Sequence, residues 1–585
     1  MQLSRRSLPI RLCLFGVVAM VATLGAVLVP SGLLSHGAPK AKAGTVTYTG
    51  KVGAVTKGAS AATAPTNPGA TSSNTKSPKI FTPLRVPHKP GAAARATGSL
   101  PHVASGSAAT EGSVLHNFNG LSNLDQETAN GGPLGTLTPP DQGICAGFDA
   151  LRKGNPAVVW EPINSAVAEY TPSGKLLAGP FSFAQFFEPN AFSDPRCFYD
   201  TATNTFFFTV ISSATFGGND SFDDIVVMNG HGVALYQVST SLGGTCFGDQ
   251  PKAGYDSNLF YIATDQFCNT GYLGELLIGV DKAKLVAESN SVATVSFGDP
   301  SPLTIGGIPV LGQEPAFGDP SNTEYLLNSF PFDAFGNNNT VENLLGFWKV
   351  TGDNNIGKAT LTGTIISSET YAFTVNAQST GDGSTTCQPF PIAPISCPAG
   401  LLVTSETFLN PDDDRMLQVQ LVNDSQHGPQ LYAALSTALT VGNDPTDRDG
   451  AAWFVLNPKK GTITNQGYVA VSGAYMLYPA IFHSVNGTTT MAFTVTSPTI
   501  NPKAAYVVAK ADSNSFGPVK TIAAGAGPHL SFADALGQVR WGDYSACESD
   551  PNNIGIWCAT EYIPPAADQS IYDNWGTRVW EVQGA

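Results

Sequence analysis

Four acidic residues recur at the same place in a repeated phrase. Asp194 stands in SDPRCFYD (193–200), Asp249 in GDQPKAGYD (248–256), Glu314 in QEPA (313–316) and Asp543 in RWGDYS (540–545). Arg196 and Arg540 flank the first and last of these acids, and Tyr544 follows Asp543 directly. Carboxylates at equivalent positions of a repeat can meet at one level. Two of them about 5–10 Å apart could act as acid and base in glycoside hydrolysis, and a ring of them could bind a cation. An arginine cluster would suit a substrate carboxylate, because a guanidinium pairs with it through two parallel hydrogen bonds. The structural alternative is that each acid caps the tight turn before its strand by accepting a backbone N–H. These seven residues are the candidate catalytic set.

Other chemistry is weaker in this chain. Asn410–Asp414 (NPDDD) and Asn443–Gly450 (NDPTDRDG) are acidic loops. Asp444, Asp447 and Asp449 of the second make a candidate calcium site, although the regular alternation and terminal glutamate of a calcium loop are missing. No other cofactor is expected. No G-x-S-x-G occurs. His231, His427, His483 and His529 read as structural histidines. The aromatic run Phe181–Phe192 (FSFAQFFEPNAF) could stack on sugar rings, but such clusters more often belong to a core.

The elements that carry these residues read as β-hairpins. In Ser193–Ile211, Asp194-Pro195 reads as a turn, Arg196–Tyr199 as a short strand, Asp200–Thr205 as a polar turn and Phe206–Ile211 as an aromatic, β-branched strand. Related phrases follow at 248–262, 313–327, 415–434, 478–495 and 540–559. Pro195 to Pro251 is 56 residues, Pro251 to Pro315 is 64 and Pro479 to Tyr544 is 65. The gap of 164 from Pro315 to Pro479 holds one extra unit and an insertion near Ser379–Leu401. Such periods predict an all-β chain forming one β-propeller of six or seven four-stranded blades, seven being preferred. A β-sandwich followed by a second domain is the alternative. Trp575–Val582 (WGTRVWEV) alternates like a closing strand that pairs with the N-terminal side.

Composition sets the context. The chain has 585 residues, of which 61 are Gly and 42 are Pro, and only 13% are charged. Residues 1–43 read as a signal peptide or N-terminal anchor: a basic start, the apolar run Leu12–Val29, and Ala41-Lys42-Ala43 as a cleavage site. Residues 44–135 are rich in Ala, Gly, Ser, Thr and Pro and read as a disordered linker. Residues 136–585 are the expected propeller. They hold 18 basic and 42 acidic residues, a net −24, which argues against a nucleic-acid partner. Beyond Cys13 there are eight cysteines, an even set that suits disulfides outside the cytoplasm. Nearest-neighbour pairing would join Cys145–Cys197, Cys246–Cys268, Cys387–Cys397 and Cys547–Cys558, though eight cysteines allow many other pairings. A monomer is expected, with no membrane contact beyond an N-terminal anchor.

The phrases PPDQGICAG (139–147), VVWEPINSAVAEYTPSGKLL (158–177), SDPRCFYD, GDQPKAGYD and RWGDYSACESDPNNIGIW (540–557) resemble exported bacterial proteins loosely related to sialidase-like propellers, most of them without an assigned activity. The resemblance implies fold and export more than chemistry. The chain lacks the full Asp-box of true sialidases, Ser549–Trp557 being the nearest approach, and it lacks their Phe/Tyr-Arg-Ile-Pro motif. The expectation is a secreted or cell-surface protein that binds a glycan or a protein. A glycoside hydrolase of sialidase-like type is the alternative, and a purely structural scaffold the second.

Overall fold

The aromatic and β-branched runs form antiparallel strands, because alternate side chains on a pleated strand can fill the gaps between stacked sheets. The computed structural model describes residues 45–58, 100–103, 112–213, 220–318, 321–330, 341–389, 400–424, 427–510, 516–531 and 540–583. The expected signal segment, Cys397, and most of 44–135 lie outside them. One compact unit spans Lys40–Ala585.

Among the described residues, seven sheets have four or more strands and follow one another along the chain. Their first strands are β1 (Cys145–Phe148), β2 (Ala191–Asp200), β3 (Cys246–Tyr255), β4 (Leu311–Pro315), β5 (Met416–Asp424), β6 (Tyr475–His483) and β7 (Ala546–Ser549). Each packs against the next, and β7 packs against β1, so these strands line a closed ring. The strands that follow in each sheet lie progressively further out, and Phe317–Gly318 pairs in parallel with β5 on its other side. This is a β-propeller. The ring closes where Gly576–Gln583, the third strand of the last sheet, takes Ser113–Ser122 as its outer partner. A closing strand from the N-terminal side was expected, but its donor comes from the region read as linker.

That region departs from expectation elsewhere too. Val46–Thr49 adds a fifth strand to the β4 sheet by pairing with Thr360–Gly363. Lys51–Thr56 adds one to the β3 sheet by pairing with Ser291–Ser296. Lys57 then bridges Tyr236, on the outer strand of the β2 sheet. This strap covers the exposed edges of three neighbouring sheets. Asn123–Asn130 is a helix with a Ser122–Asp125 capping box.

The repeated phrase also differs from its reading. Asp194-Pro195 is not a turn. It lies inside the ten-residue strand β2, between the pairs Ser193↔Ile211 and Arg196↔Thr209, as a β-bulge. Gln250-Pro251 in β3, Gly312-Gln313 in β4 and Tyr478-Pro479 in β6 are bulges of the same kind. The first residue of each bulge has positive φ: 57° at Asp194, 45° at Gln250, 60° at Gly312 and 54° at Tyr478. A bulge is one of the few places where a strand tolerates proline, and it redirects the neighbouring side chains. Asp141, Asp412 and Gly542, also at positive φ, stand four residues ahead of β1, β5 and β7. The turns at the far ends of these strands match the reading. Asp200, Asp256 and Asp550 each accept a backbone N–H two residues on, at 3.0, 2.7 and 2.8 Å.

Three disulfides join the expected partners: Cys145–Cys197, Cys246–Cys268 and Cys547–Cys558. The first ties β1 to β2, and each of the others closes one hairpin. Cys387 is also disulfide-bonded. Phe183, Phe186 and Phe187 are buried against Trp160 and Phe208, so the aromatic run is core rather than a sugar platform. No helix among the described residues is long and apolar enough to cross a membrane.

Candidate functional site

The bulges bring three of the four repeated acids together. Asp194, Asp249 and Asp543 line one small cavity with Asp141, Asn164, Gln250 and Arg540. Glu314 is not in its lining, and Asp141 takes the fourth place. Asp141 had its own signal, since Asp141-Gln142 repeats the Asp249-Gln250 pair. The cavity holds about 20 Å³, room for one water molecule and not for a sugar ring.

Its walls are bonded to one another. Asn164 accepts the Asp194 N–H at 2.7 Å and donates to Asp141 at 2.7 Å. Asp141 accepts the Asp543 N–H at 2.7 Å, and Arg540 pairs with Asp543. Tyr544 donates its hydroxyl to Asp194 at 3.3 Å, and the Arg196 guanidinium lies 3.7 Å over the Tyr544 ring. Arg196 also donates to the Pro251 carbonyl at 3.3 Å. The sequence-predicted Asp194, Arg196, Asp249, Arg540, Asp543 and Tyr544 therefore form one buried cluster from the second, third and last sheets, to which Asp141 and Asn164 add the first. Burial and the Asp543 carboxylate raise Asp194 to about 6. Burial, with Asp543 and Asp194, holds Asp141 well above the usual carboxylate range. Burial and Asp194 do the same to Asp249. Burial lifts Glu314 to about 7 despite Arg196 and Lys252 nearby.

A second ionic cluster, which sequence reasoning missed, lies beside the first. Arg415 binds Asp265 at 2.8 Å and Asp413 at 2.6 Å, and Lys252 lies 3.2 Å from Asp265 and 3.5 Å from Glu275. All five are buried, and they clamp the third sheet to the chain leading into the fifth. Burial disfavours the Asp265 charge, but Lys252 and Arg415 outweigh it and hold that carboxyl well below its ordinary value.

The candidate calcium residues do not converge. Asp444 accepts from Arg448 at 2.9 Å and from the N–H groups of Thr446 and Gly473. Asp449 is buried and accepts the Val375 N–H at 2.7 Å. Among the described residues, no group of three His, Cys, Asp or Glu side chains is placed to hold a metal ion.

Residues that follow the insertion expected near 379–401, of which 390–399 lie outside the described residues, form a layer that reaches the cavity wall. Thr404 and Ser405 pair with Ser531 and Leu530, Tyr478 donates to the Asn410 carbonyl, and Asn410 bridges Arg540 of the cavity wall. Ala377, Leu409, Tyr478 and Trp541 pack together beneath it.

The roomy concavity lies elsewhere, at the rim. Between the outer strands of the β4 and β5 sheets, Thr360–Ala372 and Thr462–Val469, runs a groove of about 500 Å³. Ile366, Ser367 and residues 461–466 line it. One end is closed where Gln466 accepts the Glu369 N–H at 2.9 Å. No sequence signal marked the groove, because its walls come from strands about a hundred residues apart.

No protein-family model matches this chain, and no curated protein matches it. Similar solved structures include a polysaccharide lyase described as an ulvan lyase, 10% identical, covering 76% of this chain and 94% of that one, TM-score 0.35. Others are the Trypanosoma rangeli sialidase (10% identical, 70% and 57% covered, TM-score 0.30) and an endo-arabinase from Bacteroides thetaiotaomicron (10% identical, 67% and 93% covered, TM-score 0.26). Likeness this distant assigns no activity; the architecture rests on the sheet order itself.

Proposed function

We propose that this chain is a secreted or cell-surface, seven-bladed β-propeller that binds a glycan at its rim, as a monomer and without hydrolysing it. The carrying observation is the contrast between two concavities. The axial acids enclose about 20 Å³ and are bonded into the fold, whereas the rim groove offers about 500 Å³. Hydroxyl and amide side chains beside two isoleucines suit a ligand that is polar at its edges and apolar on its faces. A glycan array read together with a panel of chromogenic glycosides tests this. Binding without turnover supports it, and turnover overturns it. Silence in both leaves the scaffold or a protein ligand in its place.

One observation favours a hydrolase as the second reading. Asp194, raised to about 6 and in contact with Tyr544, has the proton affinity of a general acid. That reading requires the small cavity to open, and turnover abolished by Asp194→Asn would establish it.

A further inference from the structure

The lining of the rim groove is uncharged, and lysines gather beside its Gly461 end although the molecule as a whole is acidic. Lys349, Lys459 and Lys460 stand at the Gly461 end, whereas Glu342 and Glu369 stand towards the Gln466 end, in a chain of 45 acids and 30 bases. Lys459 and Lys460 are exposed and lead directly into Gly461 of the lining. Lys349 is held in place: its Nζ donates to the Lys459 carbonyl at 3.1 Å and lies 5.2 Å from the Phe347 ring centroid. A side chain at Gly461 would meet that same Phe347 ring, so the lysines adjoin the Gly461 end of the groove. Of the two acids at the other end, burial raises Glu369 to about 7.

We infer that the groove takes an acidic polysaccharide, its carboxylates or sulfates meeting Lys459, Lys460 and Lys349 while hydroxyl and amide side chains bind the sugar rings. This rests on the glycan-binding reading above and names the class of glycan. A nucleic acid shares the charge but not the fit. The lining carries no aromatic face on which bases could stack, and the net charge of the molecule opposes a densely phosphorylated strand.

Titration calorimetry with polygalacturonate, alginate and hyaluronate, each against its methyl ester, tests the inference. The acidic forms should bind, the esters at least about fivefold more weakly, and Lys459→Ala/Lys460→Ala should lose about fivefold for acidic forms only. Added salt should weaken binding. Equal affinity for acid and ester, with no effect of the lysine pair, overturns the inference; if Thr462→Ala/Asn465→Ala still abolishes binding, the groove reading survives. Insensitivity to both double variants overturns the groove itself. Failure of every acidic polymer to bind, or tighter binding of single-stranded DNA at the same lysines, also overturns the inference.

Discussion

Tyr544 donates its hydroxyl to Asp194, 350 residues earlier in the chain, across the gap between the last sheet and the second. The contact exists because a bulge turns Asp194 inward and Tyr544 lies just ahead of β7. It reaches past the first sheet, which stands between the two in the ring, and Arg196 covers the same Tyr544 side chain. Tyr544→Phe should therefore cost about 1 kcal/mol of stability, read from urea unfolding, and leave binding at the rim unchanged. A loss of glycan affinity in this variant would tie the axis to the ligand.

Stability should fall as pH rises through neutrality. Burial lifts Asp194 to about 6, Asp224 and Glu314 to about 7, and Glu161 and Glu548 to about 8. Each folded value exceeds the unfolded one, so the folded state holds more protons between about pH 4 and 8. The stabilisation is full below the unfolded values and is lost as pH climbs through the folded ones. Asp265, held low, acts in the opposite sense only in strong acid. Thermal unfolding should thus show a higher midpoint at pH 5 than at pH 8, and the reverse order would refute this assignment.

Arg415 answers two buried carboxylates, Asp265 and Asp413. Arg415→Met should destabilise the protein by about 3–5 kcal/mol, because it leaves charge buried without a partner. Adding Asp265→Asn to that variant should recover part of the loss, and a double-mutant cycle measures the coupling.

The Cys145–Cys197 bridge encloses 52 residues and joins two sheets, unlike the two hairpin disulfides. Cys145→Ser/Cys197→Ser should cost about 2–4 kcal/mol, and Cys547→Ser/Cys558→Ser, with a separation of 11, should cost less. Denaturant midpoints of the two variants give the comparison.

Removing residues 45–58 should expose the edges of three adjacent sheets. An uncovered strand edge is a template for pairing with another chain. Light scattering should show self-association in the truncated protein, with near-native circular dichroism.

The turns, the period and the disulfides were legible in the chain because each is a local device. Asp200 and Asp256 read as turn residues from their neighbours alone, and three predicted cysteine pairs are bonded. Asp194-Pro195 misled because proline and aspartate mark turns and bulges alike; only the pairing of Arg196 with Thr209 separates the two. Glu314 misled by sharing the phrase: it follows a Gly312-Gln313 bulge and is not in the lining of the cavity that holds Asp249 and Asp543. Val46–Thr56 and the rim groove were illegible for one reason: both are made by edges of sheets meeting, and edges leave no periodic trace.

The ladder between Ser113–Ser122 and Gly576–Gln583 begins with Ser113 opposite Gln583. Once the pairings of residues 45–58 and 102–103 have come away, tension applied to the chain on either side of the folded ring reaches both strands at that same end. The load therefore falls on one rung at a time and peels the ladder instead of shearing it whole. Under a pull from outside, the ring would part first at its seam, while the sheets away from the seam stay folded.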